Sequence, residues 1–98
     1  MMTDLGVMLR DGRKRAGMTL REVSDACGVD FTYISKIENN RERSAPSNAL
    51  LEKFAALYGL DSDDVFVAAG KCPPDLLERL RTDRAFVYRV RTIPVVAA

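Results

Sequence analysis

Side chains that ordinarily carry covalent or acid–base chemistry are scarce in this sequence. Across 98 residues there is no histidine, and Cys27 and Cys72 lie far apart. A nucleophile–base pair would have to be built from lysine and the carboxylates, and most of those carboxylates read as helix caps or sit beside basic neighbours. A zinc site cannot be completed from two cysteines alone, and no glycine-rich phosphate loop occurs. Catalysis, a metal and a cofactor are all unexpected. The informative stretch runs from Thr19 to Arg41, where hydroxyls, amides and basic side chains supply hydrogen bonding and ion pairing.

The elements around that stretch follow from periodicity and capping. A first helix has Leu5, Met8 and Leu9 on one face, with Arg10, Arg13, Lys14 and Arg15 elsewhere, and stops near Ala16-Gly17. Gly12 in its middle is expected to weaken it by about 1 kcal/mol relative to alanine. Thr19 with Glu22 forms a capping box for a second helix, whose buried stripe is Leu20, Val23 and Cys27 and whose end is Gly28. Gly28 is expected because the chain reverses there and a side chain would collide with the turn. Val29 then enters the core, and Asp30 caps a third helix over residues 31–38 with Ile34 and Ile37 inward. Asn39-Asn40 ends it, since asparagine tolerates the left-handed turn.

After a polar loop over residues 41–46, Ser47 caps a fourth helix with Leu50, Leu51, Phe54, Ala55 and Leu57 inward and Gly59 at its end. Asp61 and Asp64 open a fifth (Val65, Phe66, Ala69) that stops at Gly70. Pro73-Pro74 starts a sixth carrying Leu76, Leu77 and Leu80. Asp83 caps a seventh through Phe86, Val87 and Val90; Pro94 ends it, and residues 95–98 form an apolar tail.

A composition of 47% hydrophobic and 30% charged residues is that of one soluble globule with a modest core. A net charge of +1 rules out a global field that would attract polyanions. The charge is unevenly spread. Residues 1–45 hold eight Lys/Arg against seven Asp/Glu, residues 46–70 one against four, and residues 71–98 six against three. Any contact with nucleic acid must come from a local patch.

A capped helix, a Gly-Val turn, a second capped helix and a polar loop force the two helices to cross steeply, which is a helix-turn-helix. The second helix can then project into a DNA major groove, whose width admits one α-helix. Gly17 to Val23 and Gly28 to Arg41 resemble the Cro/phage-repressor (Xre) helix-turn-helix family. The likeness extends over Leu5 to Gly70, including Pro46-Ser47, Leu50-Leu51 and the Ala55-Leu57-Gly59 ending. It implies an all-α fold: a compact five-helix, lambda-repressor-like DNA-binding domain over residues 1–70, with a short helical extension over residues 71–98. Two positions depart from the pattern. Gly12 replaces an apolar residue, which is expected to loosen the first helix. Leu20 replaces a glutamine that holds a phosphate, which leaves Thr19 and the local amides to do that work.

The resemblance also implies residue roles. Phe31, Thr32, Ser35 and Lys36 would face base edges. Lys36 can donate to guanine, Thr32 can offer its hydroxyl or methyl, and Phe31 can pack on a thymine methyl. Thr19, Arg21, Tyr33, Asn39, Asn40, Arg41 and Arg43 would hold phosphates, with Ser35 also in reach of one; such contacts position without reading. Arg13 and Glu38 would form a partly buried ion pair linking the first helix to the end of the reading helix. Plainer readings stand beside these: Phe31 as a staple under the fourth helix, Tyr33 as a half-buried packing residue, Lys36 as a solvated charge, Arg41 and Arg43 as a soluble loop.

For the last two helices, one reading folds them back on the first five. The other makes Leu76, Leu77, Leu80, Phe86, Val87 and Val90 a homodimer surface, since one helix-turn-helix buries little area on DNA. Expected partners are a palindromic duplex and a second copy, most simply for a repressor. An antitoxin using residues 71–98 to bind a protein partner is the alternative. No stretch reaches the roughly 18 apolar residues of a membrane span, and the N-terminus lacks a secretory pattern. A cytoplasmic setting is therefore expected, bacterial or phage-encoded and associated with the nucleoid, where both thiols would be reduced.

Overall fold

The computed structural model describes residues 4–93; Pro94 and the apolar tail lie outside them. Seven helices and no strand occur among the described residues: α1 (Leu5–Arg15), α2 (Leu20–Cys27), α3 (Phe31–Glu38), α4 (Asn48–Tyr58), α5 (Ser62–Ala68), α6 (Pro74–Thr82) and α7 (Arg84–Thr92). None is long and apolar enough to cross a membrane.

Side-chain oxygens open six of the seven. Asp4, Thr19, Asp30, Ser47, Asp61 and Asp83 each accept from a backbone N–H in the first turn that follows. Such a cap is worth about 1 kcal/mol, because the first amides of a helix have no internal partner. Asp4 was not anticipated from the sequence. The sixth helix instead begins with Pro74 at its first position, where the missing N–H costs nothing.

Between α2 and α3 the chain turns at Gly28, with φ 71°. A Cβ there would meet no atom within 4 Å, so the collision expected from the sequence does not exist. Glycine is required by the left-handed backbone alone. Asn40 supplies the same conformation after α3, at φ 57°.

The first five helices enclose the core. Leu9, Val23, Ile34, Ile37, Leu50 and Phe54 form its centre, and Leu51, Ala55, Val65 and Phe66 form a second lobe between α4 and α5. Leu5 packs against both. Leu20, Val29 and Leu57 are half-buried at the edge of the centre.

Gly12 corrects a sequence expectation. A Cβ at Gly12 would lie 3.0 Å from Cβ of Tyr58 and 3.2 Å from its ring, so α1 and α4 touch there because the side chain is absent. The apolar volume missing from α1 is supplied by Tyr58, buried and stacked on Phe54 with ring centroids 5.8 Å apart. The glycine thus lets α1 and α4 pack closely, a role that stands beside its helix penalty. Gly6 works the same way against α3: a Cβ there would lie 2.4 Å from the carbonyl oxygen of Glu38.

Two lysines tie chain segments down. Lys53 Nζ donates to Cys27 O at 3.3 Å, satisfying a carbonyl at the end of α2. Lys71 Nζ donates to Pro46 O at 2.7 Å and Asn48 Oδ1 at 2.9 Å, fastening the segment after α5 to the start of α4. Both cysteines are free thiols, and burial raises the pKa of Cys27 against the opposing pull of Lys53.

Helices α6 and α7 pack on each other, and their backbone approaches none of the first five helices among the described residues. Neither contributes a buried residue. The radius of gyration is 15.5 Å, above the ~13 Å of a compact chain of this length. The hairpin stands away from the five-helix body, so the expectation that it folds back over that body is not met.

Candidate nucleic-acid interface

Helix α3 lies across the body with one side sealed and the other open. Ile34 and Ile37 are 1% and 3% exposed, whereas Phe31 is 45% exposed and Thr32 and Lys36 are also on the surface. Phe31 is therefore not a staple under α4. Ser35 is half-buried beside them. Tyr33 is half-buried too and packs against the core centre.

The end of α3 is fixed by charge. Arg13 Nε and Nη2 donate to Glu38 Oε2 and Oε1 at 2.8 and 3.0 Å, a bidentate fork. The Glu38 side chain is 3% exposed and that of Arg13 14%. Arg13 Nη1 also donates to Met18 O at 3.0 Å, so one guanidinium joins α1, the turn before α2 and α3. The hydrogen bond to Glu38 raises the Arg13 pKa above its already high ordinary value, against a smaller opposing effect of burial.

Arg10 completes the clamp, and the sequence reading missed it. Its Nε lies 3.7 Å from Glu38 Oε1, and its Nη2 donates to Glu38 O at 3.3 Å and to Asn39 Oδ1. The signal was available, because Arg10 and Arg13 are spaced i, i+3 and share a helix face. Gly6 was equally legible only in hindsight, since its need arises from the carbonyl of a residue 32 positions away.

Several side chains expected at phosphates are already engaged. Asn39 Nδ2 donates to Ser35 O at 2.9 Å and reaches Ser35 Oγ at 3.4 Å, while its oxygen takes Arg10. Asn40 Nδ2 donates to Asp4 Oδ2 at 3.0 Å. Both asparagines therefore brace the end of α3 against α1 in the free protein, Asn40 at its cap and Asn39 at its middle. At Thr19 the hydroxyl accepts from Glu22 N at 3.1 Å and the backbone N–H donates to Glu22 Oε1 at 3.0 Å. That amide is not free for a phosphate, contrary to the expectation that it would replace the missing glutamine. These bonds, the backbone one first, hold the Glu22 carboxyl below its ordinary pKa.

The N-terminus of α3 is organised by Asp30. Its Oδ1 accepts from Thr32 N at 2.7 Å and from the Thr32 hydroxyl, and these bonds, the hydroxyl's first, keep the carboxyl below its usual range. With its hydroxyl turned to Asp30, Thr32 has its methyl as the remaining contact group. Lys36, Arg41 and Arg43 are exposed and make no ion pair among the described residues. Arg21, on the exposed side of α2, has its guanidinium carbon 5.5 Å from the centre of the Phe31 ring.

In the hairpin, Leu76, Leu77 and Val90 are 40%, 46% and 42% exposed. Leu80, Phe86 and Val87 are half-buried, and Arg79 lies over the Phe86 ring at 4.4 Å. The six apolar residues thus divide into an inner and an outer set.

Known proteins share this arrangement. Residues 9–65 match a family described as helix-turn-helix. The chain is 40% identical over 67 residues to the transcriptional regulator ClgR of Mycobacterium tuberculosis, covering 68% of this chain and 58% of that protein. It is 39% identical over 57 residues to the ImmF control region 10 kDa protein of Bacillus phage phi105, covering 58% of this chain and 61% of that protein. The crystal structure of the clp gene regulator ClgR from Corynebacterium glutamicum superposes with a TM-score of 0.56 at 31% identity, covering 90% of this chain and 89% of that one. The match in sequence spans the capped pair α2–α3 together with the helices that clamp it. With an open third helix held by Ile34, Ile37 and Glu38, this chain belongs to the Xre/Cro-like helix-turn-helix family.

Proposed function

We propose that the chain binds duplex DNA sequence-specifically, inserting α3 into the major groove and acting as a dimeric repressor in the bacterial cytoplasm. One observation carries the reading: α3 is pinned from behind by two buried isoleucines and a buried glutamate, while Phe31, Thr32 and Lys36 stay open to solvent. A side chain that reads a base must keep its aim, and that aim comes from the support beneath it.

In this reading Lys36 donates to guanine O6 and N7, and the Thr32 methyl meets a thymine. Arg41 and Arg43 take phosphates beyond the helix, while Thr19, Tyr33 and Ser35 add hydroxyls at the backbone. Asn39 and Asn40 contribute by bracing α3, or by exchanging their internal partners for a phosphate on binding. A twofold dimer would place two α3 helices about 34 Å apart, one helical turn of the operator.

Selection of bound sites from random duplex DNA tests the whole reading. An enriched inverted repeat is expected, together with a steep loss of affinity as salt rises. No enrichment and a flat salt response would overturn it. A second reading has its own observation, the outer apolar residues of the α6–α7 hairpin. An antitoxin-type regulator would cover them with a different protein instead of a second copy. Sedimentation of the purified chain separates the two: a dimer at micromolar concentration favours self-association, and a monomer favours the foreign partner.

A further inference from the structure

Arg21 has no carboxylate partner among the described residues, although Glu22 and Asp25 are close in sequence. Glu22 is committed to the cap of α2. The Arg21 guanidinium lies instead 5.5 Å from the ring of Phe31, the first residue of α3. That separation falls within the range of a cation–π attraction. Phe31 stays 45% exposed beneath it, so the ring is shared between the cation and solvent.

This arrangement differs from a phosphate contact. A phosphate-holding arginine is normally a free arm, and its register is set when the backbone arrives. Here the arm is parked over the residue at the mouth of the reading helix, where the N-terminal residues of such helices meet base edges. A guanidinium lying along an aromatic face keeps its edge N–H donors available, the fork that matches guanine O6 and N7. The exposed part of the ring is apolar and suits a methyl group at C5 of a pyrimidine. In the major groove that methyl and the guanine acceptors of the next base pair lie side by side.

We infer that Arg21 and Phe31 form one reading unit for a 5′-pyrimidine–guanine step whose pyrimidine carries a C5 methyl. Arg21 takes the guanine and Phe31 both aims Arg21 and contacts the methyl. The inference rests on the DNA-binding reading above and reassigns Arg21 from positioning to specificity. Thymine and 5-methylcytosine present the same methyl, and the test distinguishes them.

The experiment uses the full chain and the duplexes that it selects from a random library. At the guanine nearest the start of α3, 7-deazaguanine removes the N7 acceptor. Wild-type binding should fall by roughly 5- to 150-fold. Arg21→Ala and Phe31→Leu should each abolish that penalty, and the double variant should lose no more than either single one. Replacing the preceding thymine by uracil should weaken wild-type binding by about fourfold, the worth of one methyl group. Cytosine should match uracil and 5-methylcytosine should restore affinity if the methyl alone is read; failure of 5-methylcytosine to restore it assigns the site to thymine.

Two results would overturn the inference while leaving DNA binding intact. One is an undiminished 7-deazaguanine penalty in Arg21→Ala. The other is a uniform loss on all sequences in Arg21→Ala with a shallower salt slope, the mark of a phosphate contact. Failure of the library to enrich any sequence would overturn both the inference and the function beneath it.

Discussion

Helices α3 and α7 are built from similar material and end up in opposite surroundings. The first reads FTYISKIE and the second RAFVYRVRT, each with two aromatics and branched aliphatics, and with one cation in the first against three in the second. Helix α3 buries Ile34, Ile37 and Glu38; α7 buries nothing. The difference lies in the partners. Behind α3 stand α1 and α2, a glycine that lets α1 come close, and two arginines that neutralise the glutamate. Behind α7 stands α6 alone. A helical stripe states that a face wants cover, and only the rest of the chain decides whether it is covered.

The comparison breaks most sharply at Glu38. Glu38→Ala leaves the partly buried charge of Arg13 without its carboxylate, and removal of one member of a buried pair costs about 3–5 kcal/mol. Urea melts should show that loss, with Glu38→Gln intermediate because its amide oxygen still accepts from the fork. An equal substitution in the hairpin, Glu78→Ala, removes an exposed i, i+3 pair with Arg81 at 3.3 Å and should cost under about 0.5 kcal/mol. If the two cost the same, the sealing of α3 is not what holds it.

Next come the close approaches. Gly6→Ala drives a methyl against a backbone carbonyl and should destabilise by about 1–3 kcal/mol, the usual cost of overpacking. Gly12→Ala meets the Cβ and ring of Tyr58 at 3.0 to 3.2 Å, which must give by only a few tenths of an ångström, and gains about 1 kcal/mol of helix propensity, so its net effect should be much smaller. Thermal melts of the two variants at neutral pH give the ranking. A larger loss at Gly12 than at Gly6 would show that the α1–α4 contact, not the α1–α3 contact, sets the geometry.

These residues also mark how far the sequence could be read. The helices, most of their caps and the inward residues Ile34, Ile37, Leu51 and Phe54 follow from local rules of capping and periodicity. So does the open side of α3, because its polar residues fall opposite the isoleucines. Gly12 was misread because its partner, Tyr58, sits 46 residues later, and a local rule assigns only the helix penalty. Asn39 and Asn40 were legible as a helix stop, not as braces, since the brace needs Arg10 and Asp4 brought to them by the packing of α1 on α3. Long-range complementarity is what a single sequence conceals.

A smaller effect tests the cap that starts the helix-turn-helix. Thr19→Ala removes the hydroxyl that accepts from Glu22 N and should cost about 1 kcal/mol. The Glu22 carboxyl adds a pH signature. Its folded pKa lies below the ordinary 4.5, so its stabilising effect is complete well above that value and is lost as pH falls through the folded pKa. Wild type should therefore exceed Glu22→Gln in stability at pH 7, with the gap closing on acidification below pH 4.5. A gap that widens in acid would mean that Glu22 opposes the fold.

The smallest effect concerns the hairpin. Leu77 is 46% exposed, so Leu77→Ser removes little burial from a single chain and should shift stability by no more than about 0.5 kcal/mol in dilute solution. That expectation holds only while the outer face of α6 is wet. If a second copy covers it, association stabilises the folded state by mass action, and the melting temperature of the wild type rises with protein concentration. Leu77→Ser should then flatten that rise while leaving the dilute melt unchanged. Melts across a hundredfold range of concentration separate the cases. A large loss at the dilute end would mean that α6 is supported from within the subunit after all, and the contrast between α3 and α7 would fail at its hairpin side.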